Sequence, residues 1–588
     1  MQTPTISRIS NDAKALRLPT PPYTKGASDE TMKTLRHVLI FTCAWFGLAG
    51  LRAAPAPAAR ELIIQNRFLN LPVKNHAAKH RVKLLVDGQV AREFEIELAD
   101  SDPDFWVFLD LAPFKGKHAT MQVDQLPADS KALSAIEQSD EIKGAENLYH
   151  EALRPQYHFS SQRGWNNDPN GLVFYQGEYH LFYQHNPYGW DWGNMHWGHA
   201  VSPDLVHWQE LPIALYPHQF GDWAFSGSAV VDRANTGGFK TGREAPLVAA
   251  YTSTGRGECI TFSNDRGRTW TEFSGNPVVR HEGRDLRLLW HGPSKRWVMA
   301  VYDELDHKRW IAFYTSADLK HWTFESRVEG FFECPDFFEL PVDGKQANKL
   351  WVLTAASSEY MLGTFDGHQF TPQTPKLPGH RGNAFYAAQT YSDIPARDGR
   401  RIQIGWGQIA TPGMPFNQMM TFPCELTLRS TADGPRLCFQ PVKELNRLHA
   451  ARHAWSRLNL APGTNALEGI RGDLFDLRAQ FTVGNTGEVR FVVRGVPVVY
   501  DAAKQELICR DRRNPLPPLN GKVRLQLLVD RTSLEIFGND GLLYMPMAGK
   551  FVPDDHSLAL TVTDAAIRCD SLEVNELKSV WPQEPKSR

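Results

Sequence analysis

The stretch Ser202-Pro203-Asp204-Leu205-Val206-His207-Trp208 decides the reading of the fold, because the chain repeats it. Ser263-Asn-Asp-Arg-Gly-Arg-Thr-Trp270 and Ser316-Ala-Asp-Leu-Lys-His-Trp322 follow, then a weaker copy, Thr364-Phe-Asp-Gly-His-Gln-Phe370. Each comes after a strand-like run: YHLFYQHN, APLVAAYTS, KRWVMAVYD or KLWVLTAAS. An aspartate two residues after Ser or Thr caps a tight turn, and the aromatic residue beyond it has the ring area to pack between sheets. Copies 61, 53 and 48 residues apart, each with several short strands, favour propeller blades over scattered hairpins in a sandwich. Four copies, with the earlier strands at 172–183, allow about five blades.

Outward from this repeat the chain stays β-rich. Residues 60–128 alternate in strand fashion, with Val82, Leu84 and Val86 between polar neighbours and Asp87-Gly88 as a hairpin turn. They predict a small N-terminal accessory β domain. Residues 129–150 read as a helical or loose linker, and 151–440 hold the propeller. A short helical connector near 441–449 leads to 451–588, where EVRFVVRGVPVVY, KVRLQLLVD and SLALTVT predict a C-terminal β-sandwich. The expected fold class is therefore all-β: a five-bladed β-propeller, a C-terminal β-sandwich and a small N-terminal β domain.

Composition bounds the function. The chain has 588 residues, more than one core of roughly 100–200 residues holds. Lys and Arg total 64 and Asp and Glu 66, for a net charge of −2, so no general attraction to nucleic acid or anionic lipid is expected. Hydrophobic residues at 42% and charged residues at 22% exclude a largely disordered chain. The seven cysteines contain no C-x-x-C pair, which argues against a zinc knuckle and for mostly free, buried thiols. Met32-Lys33-Thr34-Leu35-Arg36, the apolar Val38–Leu51 and the small residues Ala53–Ala59 read as a signal peptide at about 32–58, within a leader 1–59. The mature protein is expected to be exported, periplasmic or extracellular, without a membrane span.

Four acidic motifs stand out: Trp165-Asn-Asn-Asp168-Pro-Asn-Gly171, Gly283-Arg284-Asp285, Phe332-Glu333-Cys334-Pro335-Asp336 and Asp530-Arg-Thr-Ser-Leu-Glu-Ile-Phe537. Singly, the first reads as a turn, the second as an ordinary ion pair and the fourth as structural. Glu333 lies between aromatic and apolar residues, where burial raises a carboxyl pKa toward what a general acid needs. Gln184, Trp190, Trp192, Trp197, Phe225 and Ser226 add amide, hydroxyl and aromatic groups suited to sugar hydroxyls and ring faces, although each alone is compatible with core packing.

In this order the motifs resemble glycoside hydrolase family 32, the β-fructofuranosidases, from about Arg154 to the C-terminus: WNNDPNG, FSGS, GRD and EC in family order, then DRTSLEIFGNDG. The resemblance implies a funnel-shaped site on the propeller, with Asp168 as nucleophile, Glu333 as acid/base and Asp285 holding sugar hydroxyls. It places Asn167, Gln184, Trp192, Phe225, Ser226 and Arg284 around the fructosyl unit, with Trp406 a weaker wall candidate. No metal or organic cofactor is implied. The expected activity is an exo-acting fructan β-fructosidase on levan or inulin; an invertase acting on sucrose, a fructosyltransferase and a non-catalytic fructan-binding protein are the alternatives. Two positions depart from the family pattern: Leu286 stands where Pro follows Arg-Asp, and Ala384 where Asp often precedes Phe. The first puts the backbone presenting Asp285 in question, the second the pocket rim or the substrate preference.

Overall fold

The computed structural model describes residues 57–564 and 566–581, so the expected signal peptide lies outside the described residues. The first domain sets a four-stranded sheet, ordered Ala58–Ile63, His118–Val123, His80–Val86, Gln89–Ile96, against a three-stranded one, Phe105–Asp110, Phe68–Val73, Glu137–Ser139. Val82, Leu84 and Val86 are buried as their alternation predicts, and Asp87 and Gly88 both take positive φ in the hairpin turn. The sequence expectation for residues 129–150 needs correction. Only Ala132–Ala135 is α-helical, and Glu137–Ser139 pairs with Phe68–Asn70 as a sheet strand. Glu137-Gln-Ser139 is too short and too polar to show a period, so the pairing is a tertiary choice that local pattern does not encode. The strand Ala58–Ile63 likewise begins inside the stretch assigned to the leader.

Five antiparallel sheets then follow one another along the chain. Their innermost strands are Gly164–Tyr175, Ala224–Val231, Arg284–His291, Asp336–Pro341 and Tyr386–Thr390. The repeated Ser/Thr-x-Asp motif is the turn between the third and fourth strands of the first four sheets. The Asp204 carboxylate accepts the backbone N–H of His207 at 3.0 Å, Asp265 that of Thr269 at 2.9 Å, Asp318 that of His321 at 2.9 Å and Asp366 that of Gln369 at 2.7 Å. The fifth sheet has a degenerate version, Thr431-Ala-Asp433-Gly434, where the Asp433 N–H donates to the Thr431 hydroxyl instead. It lacks the following aromatic residue, so the pattern does not flag it. Phe416–Asn417, beyond the fifth sheet's second strand, pairs in parallel with Gly164–Trp165 of the first and closes the ring.

The C-terminal region is a β-sandwich of six-stranded and five-stranded sheets around a hydrophobic core that includes Leu477, Phe491, Leu525, Ile536 and Val574. The short helical connector is a 3-10 turn, Lys443–Leu448. The Asp530 motif fastens sandwich to propeller. Its fully buried carboxylate accepts the N–H groups of Gln156, Tyr157 and His158 and pairs with His158 Nδ1 at 2.7 Å. His158 Nε2 meets Glu535 at 3.2 Å, and Glu535 accepts the Phe422 N–H and the Tyr544 hydroxyl. Burial opposes charge on His158, but its bonds to Asp530 and Glu535 outweigh that and hold its pKa up at about 9.

Candidate active site

Three of the four acidic motifs, those of Asp168, Asp285 and Glu333, converge at the N-terminal ends of the innermost strands. Four of those five strands carry a register shift there, at Asn166/Pro169, Ala224/Gly227, Arg284/Arg287 and Tyr386/Gln389. A bulge breaks strict alternation and re-aims a side chain, here toward the ring axis. The fourth strand gains the same effect from the residues before it, since Glu333 and Cys334 take φ of 38° and 45°. Asp285 has φ 65° and Ala387 φ 47°, so several non-glycine residues around the site sit in the left-handed region. That conformation costs on the order of 1–3 kcal/mol each and persists only where packing enforces it. Two motif glycines are required by close approach: a Cβ on Gly283 would lie 1.8 Å from the Tyr302 carbonyl oxygen, and one on Gly227 2.0 Å from that of Ala250.

The Asp168 carboxylate accepts the Ser226 hydroxyl at 2.7 Å and the Asn167 amide at 3.0 Å. The Asn167 oxygen in turn accepts the Trp165 indole N–H at 2.8 Å, which fixes the amide's orientation. Burial raises the Asp168 pKa, the Ser226 bond opposes the rise, and the charge of Glu333 adds to it. Glu333 accepts Arg284 at 2.7 Å on one oxygen and the Tyr386 hydroxyl at 2.7 Å on the other. Cys334 ties the group together: its Sγ is 3.5 Å from one oxygen of Asp168 and 3.5 Å from one of Asp285. Burial and the surrounding carboxylates push its pKa well up, so the thiol keeps its proton and donates. Asp285 is raised by burial and by Glu333, with the adjacent Arg284 pulling the other way. Its backbone N–H donates to Thr252 Oγ1 at 2.8 Å, and that hydroxyl donates to the buried Glu258.

The remaining sequence-nominated residues divide into those at the carboxylates and those around them. Gln184 is buried and donates to the Ala224 carbonyl at 3.0 Å, bracing the strand that presents Phe225 and Ser226. Trp192 is 48% exposed and meets Phe225 edge-on at 6.1 Å. Trp406 is cross-strand from Tyr386, lies edge-on to Trp165 at 5.8 Å and donates its indole N–H to Gln418. Leu286 is buried in the core between the second and third sheets, directly after the bulged Asp285. Ala384 is buried with Ile409 and Met419, and its N–H donates to the Pro546 carbonyl of the sandwich. The segment Arg381–Ala384 docks on the sandwich, and two residues later Tyr386 enters the site.

Sequence reasoning missed Tyr386 as a site residue and cited Cys334 only as part of a motif. A lone tyrosine among 16 carries no local signal; its position just before a bulge and opposite Trp406 supplies the meaning.

Below the carboxylates, Arg287 closes the ring axis. It pairs with buried Asp336 at 3.0 Å and donates to the Thr390 carbonyl at 2.8 Å, while the Thr390 N–H donates to Asp336 at 2.6 Å. The third, fourth and fifth sheets are thus locked at one level under the site.

A β-propeller and β-sandwich with two carboxyl groups at the end of the ring axis is an architecture of glycoside hydrolases. Family models described as Glycosyl hydrolases family 32 N-terminal domain and Glycosyl hydrolases family 32 C terminal match residues 158–441 and 444–546, and a domain of unknown function matches 60–157. The chain is 41% identical over 499 residues to a levanase of Bacillus subtilis, covering 75% of this chain and 72% of that one. It is 32% identical over 523 residues to an extracellular exo-inulinase of Aspergillus niger, covering 74% and 96%. The crystal structure of exo-inulinase from Aspergillus awamori superposes with a TM-score of 0.66 at 29% identity, over 74% of this chain and all of that one. The chain belongs to glycoside hydrolase family 32.

Proposed function

We propose that the protein is an exported retaining β-fructosidase that releases fructose from fructans of the levan or inulin type. The observation that carries this is the pair of carboxyl groups at the heads of the innermost strands: Asp168 held by Ser226 and Asn167, and Glu333 held by Arg284 and Tyr386, with the Cys334 thiol joining Asp168 to Asp285. The relatives named levanase and exo-inulinase supply the substrate class, and the extracellular inulinase supports export.

In the first step Asp168 attacks the anomeric carbon of the terminal fructosyl unit. The carbon–oxygen bond to the leaving sugar breaks as Glu333 gives its proton to that oxygen. In the second step Glu333 takes a proton from water, whose oxygen displaces Asp168 and frees fructose with its configuration retained. Asp285, desolvated beside Arg284, accepts sugar hydroxyls and strengthens those bonds as positive charge develops on the ring. Gln184, Trp192, Phe225 and Trp406 form the surrounding wall.

A time course of products from levan, inulin and sucrose tests this reading, with Asp168→Ala as the blank. Fructose alone from the polymers, from the first minutes, is the expected result. Oligomers would make the enzyme endo-acting, turnover of sucrose only would make it an invertase, and fructan binding without product would remove the catalytic reading.

A further inference from the structure

The loop between Glu178–Asn186 and His196–Ser202 carries Trp192, and the N-terminal domain grips it on both sides of that residue. Tyr188 is 1% exposed and belongs to the N-terminal domain's own core, stacked on Phe94 with ring centroids 3.7 Å apart. Trp190 packs against the same core, and its carbonyl accepts the Asn417 amide at 3.1 Å. Asn194, with φ 40°, makes a two-way bond to one backbone unit: its Oδ1 accepts the Glu95 N–H at 3.0 Å and its Nδ2 donates to the Glu95 carbonyl at 2.8 Å. Residues 188, 190 and 194 are thus fixed, and the half-exposed Trp192 between them stands against Phe225. Beyond the loop, Arg92 lies 3.7 Å from the Tyr216 ring centroid and Arg81 4.0 Å from that of Phe220, so the two domains are joined through a polar and aromatic seam.

We infer that the N-terminal domain, from the strand Ala58–Ile63 to the strand Glu137–Ser139, is a brace that sets the position of Trp192, with Asn194 as a positioning residue for substrate binding. An aromatic wall acts on ground and transition state alike, so loosening it raises KM and leaves kcat nearly unchanged. A domain binding sugar on its own account would instead work independently of Trp192. The inference rests on the β-fructosidase reading for its kinetic half only.

The test uses the full exported chain with Asn194→Gly, which removes the amide while tolerating the positive φ, and Phe94→Leu as a second lesion on the domain side. Hydrogen exchange is followed across 187–195, and kcat and KM are measured on short and polymeric β-fructosides. Both variants are expected to speed exchange in that loop and to raise KM about five-fold with kcat within about two-fold. Adding Asn194→Gly to Trp192→Ala is expected to produce no further rise, because the two act through one wall. Unchanged exchange in 187–195, or effects that multiply with Trp192→Ala, would overturn the inference. A wild-type chain silent on every β-fructoside would overturn the enzyme reading instead; faster loop exchange in Asn194→Gly would then still support the brace, and unchanged exchange would remove it as well.

Discussion

Asp168 is the residue on which the proposed chemistry turns, and its surroundings give two expectations. Asp168→Ala removes the attacking oxygen from a strand held by its neighbours, so kcat on sucrose or fructan is expected to fall by about 10⁴-fold or more with circular dichroism unchanged. The pH profile follows from the sign of its shift. A nucleophilic carboxylate has to be ionised, and burial and Glu333 raise this pKa, so kcat/KM is lost as pH falls through a value above the ordinary 3.8. The Ser226 hydroxyl donates to the ionised form at 2.7 Å and opposes that rise. Ser226→Ala is expected to move the acid limb of the kcat/KM profile to higher pH; a limb that stays or moves down would detach Ser226 from the titration. At this scale the sequence was most informative for polar motifs. Asp168, Asp285 and Glu333 lie in short ordered motifs, whereas Tyr386 contacts Glu333 from a segment whose local pattern is only that of a strand.

At the scale of the element, the repeat was legible and the bulges were not. Ser-x-Asp turns are local, because the aspartate caps the backbone within five residues of itself, so they survive as a pattern in the string. Register shifts at the heads of the innermost strands arise from pairing with distant partners, and nothing in Tyr386-Ala-Ala-Gln389 announces one. The Glu137–Ser139 strand was missed for the same reason. Beneath the bulges, the Arg287–Asp336–Thr390 tie holds three sheets at one level. Arg287→Ala leaves Asp336 buried and unpaired, so it is expected to cost about 3–5 kcal/mol in urea unfolding. It should also lower turnover, since Asp285 lies two residues from one end of the tie. Arg233→Ala removes a guanidinium that is 63% exposed in its pair with Asp393, and should change stability by less than about 1 kcal/mol. Similar losses from the two would contradict the account of the tie.

The whole molecule is held by buried seams, and these make its stability depend on pH. His158 lies between Asp530 of the sandwich and Glu535, with its pKa raised to about 9; His281, against Asp303 and Glu258 in the propeller, is also held at about 9 despite burial. A histidine raised above its unfolded value of about 6.5 contributes its full stabilisation below that pH and loses it as pH climbs through the folded value. The melting temperature is therefore expected to fall between about pH 6.5 and 9, and His158→Gln should flatten that fall while lowering stability at pH 6. A fall of the same size in the variant would place the pH dependence elsewhere. The domain order could be read from composition and alternation, but not the fastening: Asp530 reads as part of a sandwich motif, and only the fold shows it capping Gln156, Tyr157 and His158 more than 370 residues earlier. The central claim, double displacement through Asp168 with Glu333 as acid and base, is tested most directly by mass spectrometry of Glu333→Gln quenched during reaction with a β-fructoside whose leaving group needs no proton. Bond cleavage then proceeds while the base for water is missing. The account predicts one fructosyl unit on the peptide containing Asp168, absent when Asp168→Asn is added; turnover with no adduct, or an adduct on another residue, would contradict it.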